Sequence, residues 1–175
     1  LNDHGASWPG ACDDFSTEDS LTLPEIRQVL DAAQARTGRI ELLGFDACLM
    51  ANFESMYELA PYARYYIGSE ELEPGWGWEY TTAVQALSAN PSMGGGEFGR
   101  AIVDSFIASY GGAANAEGIT LSVTNLDGIA ALAQSVDELA QTLAADLRAN
   151  GQAAFAKVAQ ARSATEDYGT AAFGG

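Results

Sequence analysis

One histidine, two cysteines and eight basic residues in a chain of 175 set the first limits. With His4 as the sole imidazole, zinc sites built on two histidines are out, and a mixed set of His4, Cys12 and Cys48 lacks any C-x-x-C pairing. Two cysteines are too few for a disulfide scaffold, although a single bridge between them is compatible with the sequence. Eight Lys and Arg against twenty-four Asp and Glu leave a formal charge of −16. That balance argues against a nucleic acid or an anionic membrane as partner and suits either a cationic partner or a solubilising shell. No run approaches the roughly 20 apolar residues of a membrane span, and the start shows no basic segment followed by a signal-peptide core.

What is present is a folded globular composition, 47% hydrophobic and 10% aromatic. "TLPEIRQVLDAAQARTG" reads as a capped helix: Thr22 stands three residues before Glu25, Pro24 is in the first turn, and Gly38 closes it. "IELLGF", Ile40 to Phe45, is a compact apolar run suited to a strand buried on both faces of a parallel sheet. From Cys48 onward Leu49, Met50, Phe53, Met56, Tyr57 and Ala60 follow helical spacing until Pro61. "RYYIGS", ending at Ser69, reads as a second strand and leads into the loop "EELEPGWGWEY". Helices are expected over Thr81 to Ser88, Glu97 to Tyr110, Leu126 to about Arg148, and Ala153 to Ser163, with a third strand over Gly118 to Thr124. The alternation predicts an α/β fold with a mostly parallel sheet and helices on both faces. "GGGEFG" lacks the preceding strand and the Lys of a phosphate loop. Leu1 standing directly before a polar loop, and the ending "GTAAFGG", predict a partial domain over 1–175, missing upstream strands and a C-terminal end.

The junction at Asp46, Ala47 and Cys48 falls at the carboxyl end of the first strand, where open parallel sheets gather ligands. A helix beginning near Cys48 would aim its unpaired N–H groups at the sulfur, favouring the thiolate and offering donors to an oxyanion. The plainer alternative is a buried small hydrophobe at an ordinary turn. Leu1 reads as the tail of another strand, and "NDHGASWPG" then sets His4 and Gly5 on the following loop. If that strand lies parallel beside Ile40 to Phe45, both loops emerge on one rim, with the helix after Pro24 as the crossover.

Taken together, "DHGASWPG", "LTLPEI", "GFDACLMANFE" and "YIGSEELEPGWGWEY", with "ITLSVTNL" more loosely, resemble the clostripain family of cysteine peptidases, relatives of caspases, gingipains and legumains. The resemblance implies a caspase-like α/β/α sandwich and a cysteine endopeptidase with a catalytic dyad. Carried over by position, it makes Cys48 the nucleophile, His4 the general acid/base, and the amides of Gly5 and Cys48 the oxyanion hole. It implies cleavage after Arg or Lys in protein or peptide substrates, with Asp46 matching the acid two residues before the nucleophile. A poorly solvated carboxylate on a pocket floor pairs with a guanidinium and penalises neutral side chains. Asp46 also fits an N-cap role.

Ser69, Glu70 and Glu71 end the next strand on the same rim, as pocket wall or as solvated loop. Trp76 and Trp78 either cover the cleft or plug the fold. Asp13, Asp14, Glu18 and Asp19 form an acid cluster that either holds calcium, to which some relatives respond, or is a solvated run without the spacing of a known calcium loop. Otherwise no cofactor and no metal is implied. Relatives are often cut at a basic residue between the His and Cys motifs, yet no Lys or Arg precedes Arg27 here. The resemblance implies a secreted or cell-surface bacterial protein. The alternative is a catalytically degenerate member acting as an acidic binding or adhesion module.

Overall fold

The computed structural model describes residues 1–14, 16–111 and 118–165, arranged as two compact units, 1–127 and 128 onward. The first unit runs β1 (Gly10–Asp14), β2 (Asp19–Thr22), α1 (Leu23–Thr37), β3 (Ile40–Gly44), α2 (Phe53–Leu59), β4 (Ala63–Gly68), α3 (Tyr80–Ala89), α4 (Gly95–Tyr110) and β5 (Ser122–Asn125). The second holds α5 (Ile129–Asn150) and α6 (Gln152–Ala164), which contact each other across the turn at Gly151, with Lys157 3.5 Å from Asp146. No helix among the described residues is long and apolar enough to cross a membrane.

The expected capping signals form. The Glu25 carboxylate accepts from the Thr22 amide and hydroxyl at 2.9 and 2.7 Å, Pro24 sits in the first turn of α1, and Gly38 ends it with a left-handed φ of 74°. Glu79 caps α3 by accepting from the amides of Thr81 and Thr82. Glu97 likewise accepts from the Gly94 amide at 3.2 Å, and these local bonds explain why α1, α3 and α4 begin within two residues of their predicted starts.

The central sheet has the order β3-β4-β5. β3 and β4 are parallel, in register Ile40↔Ala63 and Gly44↔Ile67, whereas β5 runs antiparallel to β4, with Tyr66 opposite Thr124. The sheet is therefore mixed, not mostly parallel. Alternation along the strands divides the core. Leu43, Phe45 and Tyr66 face Ile26 of α1 and Leu59 of α2, and Leu42 and Ile67 face Ile102 and Phe106 of α4 together with Ala83 of α3. A hairpin of β1 and β2, absent from the sequence reading, lies beside this sheet in the chain.

The start of α2 also departs from expectation. Its N-cap is Asn52, whose side-chain oxygen accepts from the Ser55 amide at 2.9 Å. Leu49 takes φ 62°, which breaks helical continuity, so Cys48 precedes the helix by an irregular loop. That loop is pinned from below. Tyr66 is 1% exposed, stacks on Phe45 with ring centroids 5.4 Å apart, and donates its hydroxyl proton to the Met50 carbonyl at 2.7 Å. Burial raises the phenol above its usual pKa. Tyr66→Phe leaves a buried carbonyl without its donor, and urea unfolding is expected to show a loss of about 1–2 kcal/mol. An unchanged midpoint would mean that the loop does not depend on this bond.

Candidate active site

Residues 1–3 lie alongside the end of β3. The Leu1 nitrogen donates to the Gly44 carbonyl at 2.9 Å, the Asp46 amide to the Leu1 carbonyl at 2.9 Å, and the Asp3 amide to the Asp46 carbonyl at 3.2 Å. Asn2 and Asp46 thus form a parallel bridge, the pairing expected from the sequence. The two loops that leave this pair then touch. A Cβ on Gly5 would lie 2.1 Å from the Cys48 carbonyl oxygen and 3.1 Å from the Ala47 Cβ, so only glycine permits the approach. The Cys12 amide donates to the His4 carbonyl at 2.7 Å, folding the His4 loop back onto β1.

Between these loops opens a cleft of about 270 Å³ whose lining includes His4, Asp46, Cys48, Glu73 and Trp76. His4 is exposed and Cys48 half-buried. The cysteine does not stand at a helix N-terminus, as was expected, because Asn52 rather than Asp46 caps α2. Its polar neighbour is instead the Glu73 amide, which donates to Sγ at 3.2 Å. The backbone amides of Gly5 and Cys48 donate to no acceptor among the described residues. Cys12 and Cys48 are both free thiols, so the bridge left open by the sequence is not formed; burial raises the Cys12 pKa.

Asp46 is 4% exposed. Its Oδ2 accepts from the Asn2 side-chain amide, from the Trp78 backbone amide at 3.2 Å and from the Tyr80 hydroxyl at 2.6 Å. Three donors on one oxygen hold the carboxylate across the cleft floor. Gly77, with φ 65°, packs its Cα against both oxygens; a Cβ there would lie 2.8 and 2.9 Å from them. Burial and the hydrogen bond to Asp46 raise the Tyr80 pKa.

Glu73 is the residue that sequence reasoning missed. Its Oε1 accepts from Trp78 Nε1 at 3.3 Å, while the buried Oε2 has no donor among the described residues. As a carboxylate that oxygen is stranded without a donor, which favours the neutral acid. Burial, and then Asp46, accordingly push Glu73 up to about 9. The signal was hidden because an acid in a Gly-rich loop looks solvated until the loop is seen folded, by the turn that carries the Gly77 amide to the Pro74 carbonyl at 2.9 Å.

Ser69, Glu70 and Glu71 are not among the residues lining the cleft. Ser69 is fully buried and shares a hydrogen bond of 3.0 Å with the Thr120 hydroxyl, and its carbonyl accepts from the Ala51 amide at 2.8 Å. The Glu71 carbonyl accepts from the Leu49 amide at 3.1 Å, so this segment supports the Cys48 loop from behind. Trp78 is in the core, 8% exposed, whereas Trp76 stands 92% exposed at the cleft edge. In the acid cluster, Asp14 accepts from the Ser16 amide and hydroxyl and from the Thr17 hydroxyl, closing the turn after β1 and lowering its own pKa. No group of three or more potential metal ligands occurs among the described residues.

The Glu73 pKa is raised on folding, so the folded chain holds this proton more tightly than the unfolded chain up to about pH 9. The associated stability is complete in acid and is lost as pH rises. Between about pH 5 and pH 8 the unfolding free energy is expected to fall relative to Glu73→Gln, by up to about 1.4 kcal/mol per pH unit. Parallel pH profiles of the two proteins in urea unfolding would contradict it.

The sequence profile of the clostripain family matches residues 1–171. No curated protein sequence matches the chain. Among solved structures, the chain is similar to a secreted C11 cysteine protease from Bacteroides thetaiotaomicron in complex with an irreversible peptide inhibitor, at 25% identity and TM-score 0.62, over 79% of this chain and 42% of that one. A further solved structure of a secreted C11 cysteine protease from the same organism aligns at 20% identity and TM-score 0.63, over 81% of this chain and 42% of that one. A clostripain from the same organism, bound to a peptide inhibitor, aligns at 22% identity and TM-score 0.57, over 70% and 51%. The chain thus spans about half or less of the length of these proteins. With a family profile that covers nearly all of its residues, the chain belongs to the clostripain family of cysteine peptidases.

Proposed function

We propose that this chain carries the catalytic centre of a cysteine endopeptidase that cleaves protein or peptide substrates after Arg or Lys. The observation that carries the reading is the contact of Gly5 with the Cys48 carbonyl, which holds the His4 and Cys48 loops against one acid-floored cleft. Sγ of Cys48 attacks the scissile carbonyl carbon, forming a C–S bond. The resulting oxyanion is taken by the amides of Gly5 and Cys48, which have no other acceptor among the described residues. His4 protonates the amine as the C–N bond breaks, and water then hydrolyses the thioester. Asp46 pairs with the basic side chain of the substrate. Trp76, exposed at the edge, offers an apolar face to the adjoining peptide.

The accompanying fold reading is a caspase-like α/β/α sandwich, supported by α1 and α2 packing on one face of the sheet and α3 and α4 on the other. Calcium at the acid cluster of β1 and β2 is not part of this proposal, since Asp14 is engaged in its own turn. We also propose an extracellular bacterial setting, in keeping with the secreted description of two of the similar structures. The degenerate binding module is not favoured, because His4, Asp46 and Cys48 are all intact and line one cleft.

Cys48→Ala is expected to abolish hydrolysis of Arg-containing peptide substrates, whereas Asp46→Asn is expected to lower their turnover by about a hundredfold while leaving the far-UV spectrum unchanged. The second figure follows from the 2–5 kcal/mol that losing one partner of a buried charge pair costs. Full activity in Cys48→Ala removes the nucleophile assignment; full activity in a folded Asp46→Asn removes the basic pocket.

A further inference from the structure

The cleft holds an acid pair but nothing to neutralise it. Asp46 and Glu73 both line it, and no Lys or Arg does so among the described residues. The groups that face Glu73 are Asp46 after β3, Tyr80 at the start of α3, and Tyr110 at the end of α4, whose hydroxyl donates to the Gly77 carbonyl at 2.9 Å and whose pKa is raised by burial and by both acids. Cys48 contacts its backbone, and Asp3 and His4 line the same cleft from the first loop. Trp78 ties the two acids together, its Nε1 bound to Glu73 Oε1 and its backbone amide to Asp46 Oδ2, while the buried Oε2 of Glu73 has no donor among the described residues. Two carboxylates that line one cleft floor, both held by Trp78 and with no cation beside them, cannot both ionise cheaply, so the pair keeps one proton.

We infer that Asp46 and Glu73 act together on the basic side chain of a substrate, as a carboxyl–carboxylate pair that releases its shared proton when the cation enters, so that recognition at this site is coupled to pH. The inference rests on the proposed basic specificity and adds Glu73 as a second specificity-determining residue. The chemistry balances simply. The empty pair carries one negative charge; the incoming guanidinium or ammonium brings one positive charge, the proton passes to water, and the pair becomes doubly negative around the cation. Proton release is required by hydrogen-bond direction as well as by charge. A guanidinium presents only donors, and an O–H on Oε2 would set donor against donor, whereas the ionised Oε2 supplies the acceptor that the buried site otherwise leaves unused. A substrate cation is thus bound more tightly as pH rises, until the empty pair ionises on its own.

Benzamidine, a cation throughout the range used, separates this from the peptidase reading because its binding needs no turnover. With the full chain, its Kd is expected to fall about tenfold per pH unit between pH 6 and pH 8, the slope for one proton released. Titration calorimetry at pH 7 in two buffers of different ionisation enthalpy is expected to show about one proton released per benzamidine bound. The release persists in His4→Ala and in Cys48→Ala, which remove the imidazole and the thiol that line the same cleft, and disappears in Glu73→Gln. Binding without proton release in the wild type, or release that survives in Glu73→Gln or is lost in His4→Ala or Cys48→Ala, overturns the coupling and leaves the basic pocket standing. No binding at any pH from 6 to 9 overturns both. The wild-type, His4→Ala and Cys48→Ala measurements decide the matter even if Glu73→Gln does not fold.

Discussion

Three backbone hydrogen bonds between residues 1–3 and the end of β3 determine everything that happens at the cleft. They fix the register in which the first loop leaves the sheet, and a slip of one residue would turn every side chain of that segment to the opposite side. In the observed register Asn2 meets Asp46, His4 follows on the rim, and Gly5 comes to rest on the Cys48 carbonyl. The glycine is not a matter of flexibility here. No other residue fits between the two loops, and without their contact the imidazole and the sulfur would have no reason to share a site.

Asp46 is the second fixed point. It accepts hydrogen bonds from the first loop through Asn2 and from the Trp-rich loop through Trp78 and Tyr80, so one carboxylate ties together three segments distant in sequence. Its burial has a chemical consequence that a surface acid would lack. With water largely excluded and Glu73 alongside, negative charge on this floor is poorly compensated from within the protein, and a cationic side chain is the natural complement. Under the proposed basic specificity, the net charge of −16 adds a long-range pull that salt screens, whereas the buried acids act at contact and are screened little.

Much of the fold was legible because its signals are local. The Thr22, Pro24, Glu25 and Gly38 pattern fixes α1 without reference to anything else, and the apolar run at Ile40 fixes β3. The mixed sheet was not legible, since nothing within "ITLSVT" records the direction of the neighbouring strand. Leu49 and Met50 misled the reading of α2: they continue the apolar spacing of the helix, yet serve a loop in which Leu49 has positive φ, a conformation that leucine rarely signals. The hairpin of β1 and β2 was concealed by the acids that close its turn. Motif order singled out His4, Asp46 and Cys48, which line one cleft, and Gly5, which abuts the Cys48 carbonyl, whereas the positions of Glu73 and Tyr80 beside them follow only from tertiary folding. Ser69 and Glu71 hold the Cys48 loop through their carbonyls, Glu70 is exposed, and none of the three lines the cleft.

Whether the sulfur at this junction is the reactive group can be read directly by mass spectrometry after treatment with an Arg-directed chloromethyl ketone. Alkylation of one thiol per chain, at Cys48 and not at Cys12, with loss of that label in His4→Ala, is the expected result. Labelling at Cys12, or no labelling of a folded chain, would contradict the assignment of this cleft as a peptidase centre.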